Sequence, residues 1–164
     1  MKKAFAAACG FHTLCLRLWQ KSKPMMRNLT LSQTKPSIPG IICLKYPCGG
    51  KNCDDRVADI IKNNTIIKYA RTVDTTLGFE PYGDFHQYKG TLYHNAQWDK
   101  LFDMGEKFLE LKADTPKIFY IWGHAYEFDI YPERWKKFEE FLEMMSNRSD
   151  IFYGTNIEVF KHLL

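Results

Sequence analysis

The residues with the clearest chemical potential in this chain lie just after an apolar run. His124, Glu127 and Asp129 follow the run 118–122 within seven residues of its end. An imidazole titrates near neutral pH and can protonate a leaving group, and a nearby carboxylate can orient or charge it. His124 is therefore a candidate general acid, with Glu127 and Asp129 as its candidate carboxylate partners.

The same three side chains also have a structural interpretation. A histidine at a strand end can be satisfied by a backbone carbonyl. Acidic residues in the first turn of a helix interact favourably with the helix dipole. The residue types alone leave both interpretations open. Which one holds depends on how the neighbouring strands and helices place the three side chains.

A second set of residues is a candidate for substrate contact, because its members lie at predicted strand ends or in a predicted aromatic-rich loop. A lysine at a strand end can hold a carboxylate or another anionic group, and an aromatic ring can line a sugar site. The alternatives are a lysine that extends into water, a histidine on the surface and aromatic rings that pack in the core. The candidate substrate-binding residues are Lys45, Tyr46, His94, Trp122 and Tyr126.

Short apolar runs alternate with amphipathic patterns from residue 40 onward, an order typical of β-α units around a parallel sheet. Such units place the carboxyl ends of their strands at one edge, so Lys45 and His124 are expected on the same side of the sheet. Strands are predicted at 41–46, 66–71, 118–122 and 150–155. Helices are predicted from a cap at Asn52 or Asp54 to about 64, at 98–109, at 135–145 and from a cap at Asn156 onward, with a long loop at 74–95.

Composition restricts the class of protein. A length of 164 residues with 45% hydrophobic residues predicts one domain, and 23 basic residues interspersed with 19 acidic ones do not favour a nucleic-acid partner. No run approaches the roughly 20 apolar residues of a membrane span. Five cysteines without a C-x-x-C pair favour a reduced, cytoplasmic protein, with secretion as the weaker alternative. Residues 1–39 lack sustained periodicity and are predicted to be a divergent or poorly ordered segment, while 40–164 form the domain.

Several strings in this domain resemble one known family. They are Phe119-Tyr-Ile-Trp-Gly-His-Ala-Tyr-Glu-Phe-Asp129, Trp135, the stretch 150–158, Tyr69-Ala-Arg-Thr72 and Lys45-Tyr-Pro-Cys-Gly-Gly-Lys-Asn52. Together they are similar to the C-terminal part of polysaccharide deacetylases of the NodB-like type, carbohydrate esterase family four. The resemblance covers residues 40 to 160.

The resemblance implies an α/β fold that is a partial, distorted (β/α) barrel. It also implies hydrolysis of N-acetyl or O-acetyl groups on a glycan with a divalent metal, commonly zinc. His124 matches the late histidine that protonates the leaving group, and Lys45 stands where the family often has Arg. His12 falls where the first histidine of a His-x-x-x-His metal motif would lie, with Leu16 at the second position.

The family's paired aspartates would lie before residue 1, so the chain is expected to be a truncated or N-terminally divergent member with an incomplete metal site. An acetylated glycan is the expected partner. The alternatives are a non-catalytic carbohydrate-binding remnant and an inactive gene fragment.

Overall fold

The computed structural model describes residues 3–7, 42–46, 53–95 and 98–161. These residues form a mixed α/β fold, which confirms the predicted fold class at that level. The strands are β1 (Lys3–Ala7), β2 (Ile42–Lys45), β3 (Ile67–Thr75), β4 (Tyr88–Gly90), β5 (Leu92–Tyr93), β6 (Lys117–Trp122) and β7 (Ile151–Gly154). The helices are α1 (Asp55–Asn64), α2 (Trp98–Glu110), α3 (Tyr126–Ile130), α4 (Glu133–Met145) and α5 (Asn156–Lys161).

The described strands pair in parallel, as the alternating pattern predicts. One sheet has the order β5-β6-β1-β7, and a second has the order β2-β3-β4. Because all pairs are parallel, the carboxyl ends of the strands in each sheet lie at one edge. Within the described ranges, no helix combines the length and the hydropathy that crossing a bilayer requires.

Residues 88–93 connect the two sheets inside the segment that the sequence predicts as a loop. β4 pairs with β3 and β5 pairs with β6, with Thr91 between them. The Thr91 N–H donates to the Tyr120 carbonyl at 2.8 Å, and the Thr91 hydroxyl accepts from the Tyr120 N–H at 3.0 Å. The same hydroxyl donates to the Ile118 carbonyl at 3.3 Å. Thr91 therefore continues the hydrogen bonding between the segment and β6 where the strand pattern breaks.

β6 contributes side chains to two hydrophobic cores, because alternate residues of a strand face opposite sides of a sheet. Phe119 and Ile121 pack with buried residues of α2 and α4. Ile118, Tyr120 and Trp122 pack on the other side. The buried partners on that other side are Tyr69, Tyr88, Val159 and Phe160, so α5 covers this face and α2 and α4 cover the opposite one.

β1 lies within the segment that the sequence predicts to be divergent, and it pairs with β6 on one side and β7 on the other. Lys3 anchors it although the lysine is only 5% exposed. Its Nζ donates to the carbonyls of Phe108 at 3.3 Å and Leu109 at 3.1 Å, in the last turn of α2. It also lies 2.6 Å from an Asp150 carboxylate oxygen, and this hydrogen bond lowers the pKa of Asp150. Residues 8–39 lie outside the described part.

The helix caps confirm one prediction and correct another. Asp54 caps α1 as predicted, because its Oδ1 accepts the Val57 N–H at 2.8 Å. The predicted cap at Asn156 is wrong. Thr155 occupies that position, with its N–H and hydroxyl both within 2.8 Å of the Glu158 carboxylate. Asn156 instead begins α5 and donates from Nδ2 to the Tyr120 hydroxyl at 3.0 Å.

The contact between α2 and α4 depends on a glycine, and this predicts an effect on stability. A Cβ atom at Gly105 would lie 2.6 Å from Met144 Cε and 2.8 Å from Phe141 Cε2, whereas Gly83 has no atom within 4 Å of that position. Overpacking a core costs about 1–3 kcal/mol. We expect Gly105→Val to lower the free energy of unfolding by that amount in urea titrations, and Gly83→Val to change it by less than about 0.5 kcal/mol. Equal effects of the two variants would contradict this packing.

Candidate functional site

The candidate site lies at the carboxyl edge of β5 and β6, where the turn after β5 meets the loop after β6. His94 follows Tyr93, and its Nε2 lies 2.8 Å from Glu127 Oε2, across 33 residues of sequence. The same oxygen accepts the backbone N–H of His124 at 3.0 Å. One carboxylate oxygen therefore connects the buried histidine to the loop that carries His124. We call His94, Glu127 and His124 the His–Glu cluster.

Aromatic rings enclose the polar pair at the centre of this cluster. His94 is 0% exposed and Glu127 is 5% exposed. The His94 imidazole stacks on Phe128, with ring centroids 5.0 Å apart, and the Trp98 and Phe138 rings lie 5.8 and 5.9 Å away. Removing a carboxylate from water is costly unless hydrogen bonds replace the lost hydration. The bonds from His94 and His124 supply that replacement.

Burial determines the protonation state of His94. The pKa of His94 is lowered to about 4, mainly by loss of hydration and to a lesser extent by electrostatic interaction with His124 and Arg134, while a hydrogen bond to the His124 backbone opposes the shift. The imidazole is therefore neutral near pH 7. In the tautomer that carries its proton on Nε2, the neutral His94 ring donates to Glu127 Oε2.

The local sequence explains why Glu127 occupies this position. Glu127 lies in the first turn of α3, three residues after His124, and a glutamate at this spacing can reach back to a backbone N–H before the helix. This is the helix-start role that the sequence leaves open for the two acids, and His94 is a second partner that the sequence does not indicate. Asp129, the other candidate carboxylate, is exposed.

Three aromatic rings surround the partly exposed His124 ring. Tyr126 stacks on it, with centroids 5.2 Å apart and an interplanar angle of 23°. Tyr93 and Trp122 each lie 6.4 Å from it with their rings nearly perpendicular to the imidazole. Tyr93 and Trp122 also stack on each other at 4.5 Å. Tyr126 is 57% exposed and Trp122 only 6%, so Tyr126 offers much the larger surface to a ligand.

Arg71 is a residue near the site that the sequence analysis does not select. It is 3% exposed, and its guanidinium carbon lies 4.3 Å from the centroid of the Trp122 ring. A desolvated cation–π contact of this kind contributes about 2 kcal/mol. The available signal is an arginine in the middle of a predicted strand, directly after Tyr69 and Ala70, where a charged side chain is rarely buried without a partner.

Two other predicted substrate contacts, His94 and Tyr46, are buried. His94 packs in the core as described above, and Tyr46 is 4% exposed. The Tyr46 hydroxyl donates to the His86 carbonyl at 2.7 Å, and burial raises the pKa of Tyr46. Tyr46 follows β2, which β3 and β4 separate from the sheet that contains β6. Lys45 ends β2, but its side chain lies outside the described part of the structure.

The predicted metal position, His12 with Leu16 as its partner position, lies outside the described residues. Among the residues that the structure does describe, no three His, Cys, Asp or Glu side chains converge as ligands for a metal ion. These residues alone therefore do not fit the zinc site that the resemblance implies.

The fold and the site define an α/β protein with a histidine and carboxylate cluster at the carboxyl edge of a parallel sheet. No family model matches the chain, and neither a curated protein nor a solved structure is significantly similar to it.

The burial of His94 predicts a loss of stability in mild acid. An unfolded histidine has a pKa near 6.5, whereas folded His94 stays neutral to about pH 4. Between these values the unfolded chain binds the extra proton, so stability falls as the pH decreases, by on the order of 3 kcal/mol in total. Urea titrations of the wild type and His94→Gln from pH 7 to 4 measure this. The variant should lack this component of the pH dependence.

A core variant without a titratable change serves as the control for this experiment. Phe138→Leu removes part of a ring beside His94, so it should lower stability by a similar amount at every pH. If the free energy of unfolding changed with pH in the same way in the wild type and in His94→Gln, His94 would not be the source of the acid sensitivity.

The two acids of α3 should differ sharply when they are replaced. Glu127→Ala leaves the buried His94 and His124 donors without their acceptor, which costs about 2–4 kcal/mol. Asp129→Ala changes an exposed residue two positions further along the same helix and should change stability by less than about 0.5 kcal/mol. Thermal and urea unfolding measure both, and similar losses would contradict the buried role of Glu127.

Proposed function

We propose that this chain is a polysaccharide deacetylase-like protein that acts on an acetylated glycan, with His124 as the general acid. The observation that carries the proposal is the position of His124: its ring is partly exposed at the end of β6, and its backbone is bonded to a buried carboxylate. The proposal includes a partial, distorted (β/α) barrel as the finer description of the fold. The family resemblance of residues 40 to 160 supports the choice of substrate.

The chemistry of the reaction fits the residues near β6. Release of an amine or alcohol from an acetyl group needs a proton, and an imidazole can deliver one near neutral pH. Ligands of α/β proteins bind beyond the carboxyl ends of parallel strands, where His124 lies. The exposed Tyr126 ring beside His124 offers an apolar face with a polar hydroxyl, which suits a sugar.

Zinc belongs to the proposal through the resemblance alone, and we derive no step from it. The described residues do not provide its ligands, so residues outside them, such as His12, would have to take part. The metal content of the purified protein is therefore one of the quantities to measure.

A second candidate function is glycan binding without catalysis. The exposed Tyr126 ring favours it, because a ring that is supported on one side by His124 and open on the other can stack on a pyranose in a protein of either kind. Binding depends on this surface, whereas hydrolysis also depends on the His124 imidazole.

One set of assays separates the two functions. The full 164-residue chain is incubated with N-acetylated and O-acetylated oligosaccharides, with and without added Zn²⁺, and acetate release, bound metal and glycan affinity are measured. We expect acetate release that His124→Ala reduces by about 100-fold or more, since a general acid contributes typically 10²–10⁴. Tyr126→Ala should weaken glycan binding.

His86→Ala is the matched histidine control for these assays. The His86 ring contacts the Ile67 carbonyl at 3.1 Å, away from the His–Glu cluster, so acetate release should stay within threefold of the wild type. Glycan binding without acetate release from any substrate would support the second candidate and reject the enzyme.

A further inference from the structure

We infer that Glu127 and His94 are positioning residues for His124, holding the loop after β6 in the place where its imidazole meets a ligand. The catalytic part of this inference rests on the proposed function. The geometric part rests only on the described contacts of the His–Glu cluster.

The loop that carries His124 is short. β6 ends at Trp122 and α3 begins at Tyr126, so His124 lies in a connection of three residues. Its N–H bonds to Glu127 Oε2 at 3.0 Å, and the His124 carbonyl accepts the Glu127 N–H at 3.3 Å. Two bonds to the same glutamate therefore fix the backbone at His124 and restrict where its ring can lie.

The Glu127 carboxylate in turn depends on His94. Glu127 is 5% exposed, and a buried carboxylate keeps a single position only where its hydrogen bonds are satisfied. His94 donates to the same oxygen as His124, at 2.8 Å. The backbone N–H of His94 donates to the Trp122 carbonyl at 2.9 Å, which attaches the histidine to the end of β6.

The His94 ring is in contact with residues of two helices. Its ring stacks on Phe128 of α3 and lies near Phe138 of α4, so movement of the imidazole would disturb both helices. His124 and Arg134 interact electrostatically with His94, and Glu127 Oε2 lies 2.8 Å from its Nε2. Arg134 donates to the Asn95 side-chain oxygen and lies 3.7 Å from the centroid of the Tyr131 ring, so it too is held in place.

His94 and Glu127 therefore affect catalysis through the position of His124, without contacting the substrate themselves. A displacement of about 1 Å in a catalytic group can cost roughly 100-fold in rate. A positioning pair should therefore affect kcat more than KM, and a substitution that preserves its hydrogen bond should restore the rate.

The test combines amide hydrogen exchange with acetate release in the full chain. His94→Leu keeps an apolar side chain but removes the donor, whereas His94→Gln places an N–H near the position of Nε2. We expect His94→Leu to accelerate exchange of the His124 amide at least tenfold relative to the Tyr120 amide. It should also lower kcat by about 10- to 100-fold with KM within threefold, and His94→Gln should return both quantities to within threefold of the wild type.

Controls make each outcome decisive. Phe138→Leu disturbs the same core without touching the hydrogen bonds, so the ratio of the two exchange rates should not change. Glu127→Gln, which retains one acceptor oxygen, replaces His94→Leu if the latter does not fold, and it should accelerate the His124 amide at least threefold. If His94→Leu left the ratio of the His124 and Tyr120 exchange rates unchanged, the inference would be overturned. If the wild type releases no acetate, the proposed function fails and the exchange ratio alone decides whether the pair positions the loop.

Discussion

The fold depends on β6 having large apolar side chains on both faces. Phe119 and Ile121 fill the core beneath α2 and α4, while Tyr120 and Trp122 fill the core beneath α5. A strand buried on both sides must satisfy every backbone group within the sheet, and β1 and β5 supply its neighbours. The position of His124 follows from this constraint, because residues 118–123 are buried and the chain next becomes partly exposed at His124.

The His–Glu cluster shows how polar groups are accommodated beside such a core. Burial keeps His94 neutral at neutral pH, and its Nε2 lies at hydrogen-bond distance from Glu127 Oε2. The His94 ring and the His124 backbone N–H meet the same carboxylate oxygen, so together they direct it in a defined orientation. Specific geometry, more than stabilisation, is what this arrangement provides.

The sequence predicts elements well where their signals are local. Three kinds of signal are each contained in a short stretch of sequence. They are the apolar run of β6, the Asp54 cap of α1 and the amphipathic faces of α2 and α4. The strands β4 and β5 form inside a predicted loop because their partners are distant. In the site, the spacing of His124 and Glu127 indicates a helix start. The bond from His94 spans 33 residues, and only the fold reveals it.

The anchoring of β1 by Lys3 has a consequence for the order of folding. The Lys3 amine bonds to carbonyls 105 and 106 residues later in the sequence, and both neighbours of β1 in the sheet follow the same distant region. Contacts of such large sequence separation form slowly, because the chain between the two partners must first be closed into a long loop. Until β1 inserts, β6 and β7 each present an unpaired edge. The interval before that insertion is when the chain is most exposed to pairing with another strand.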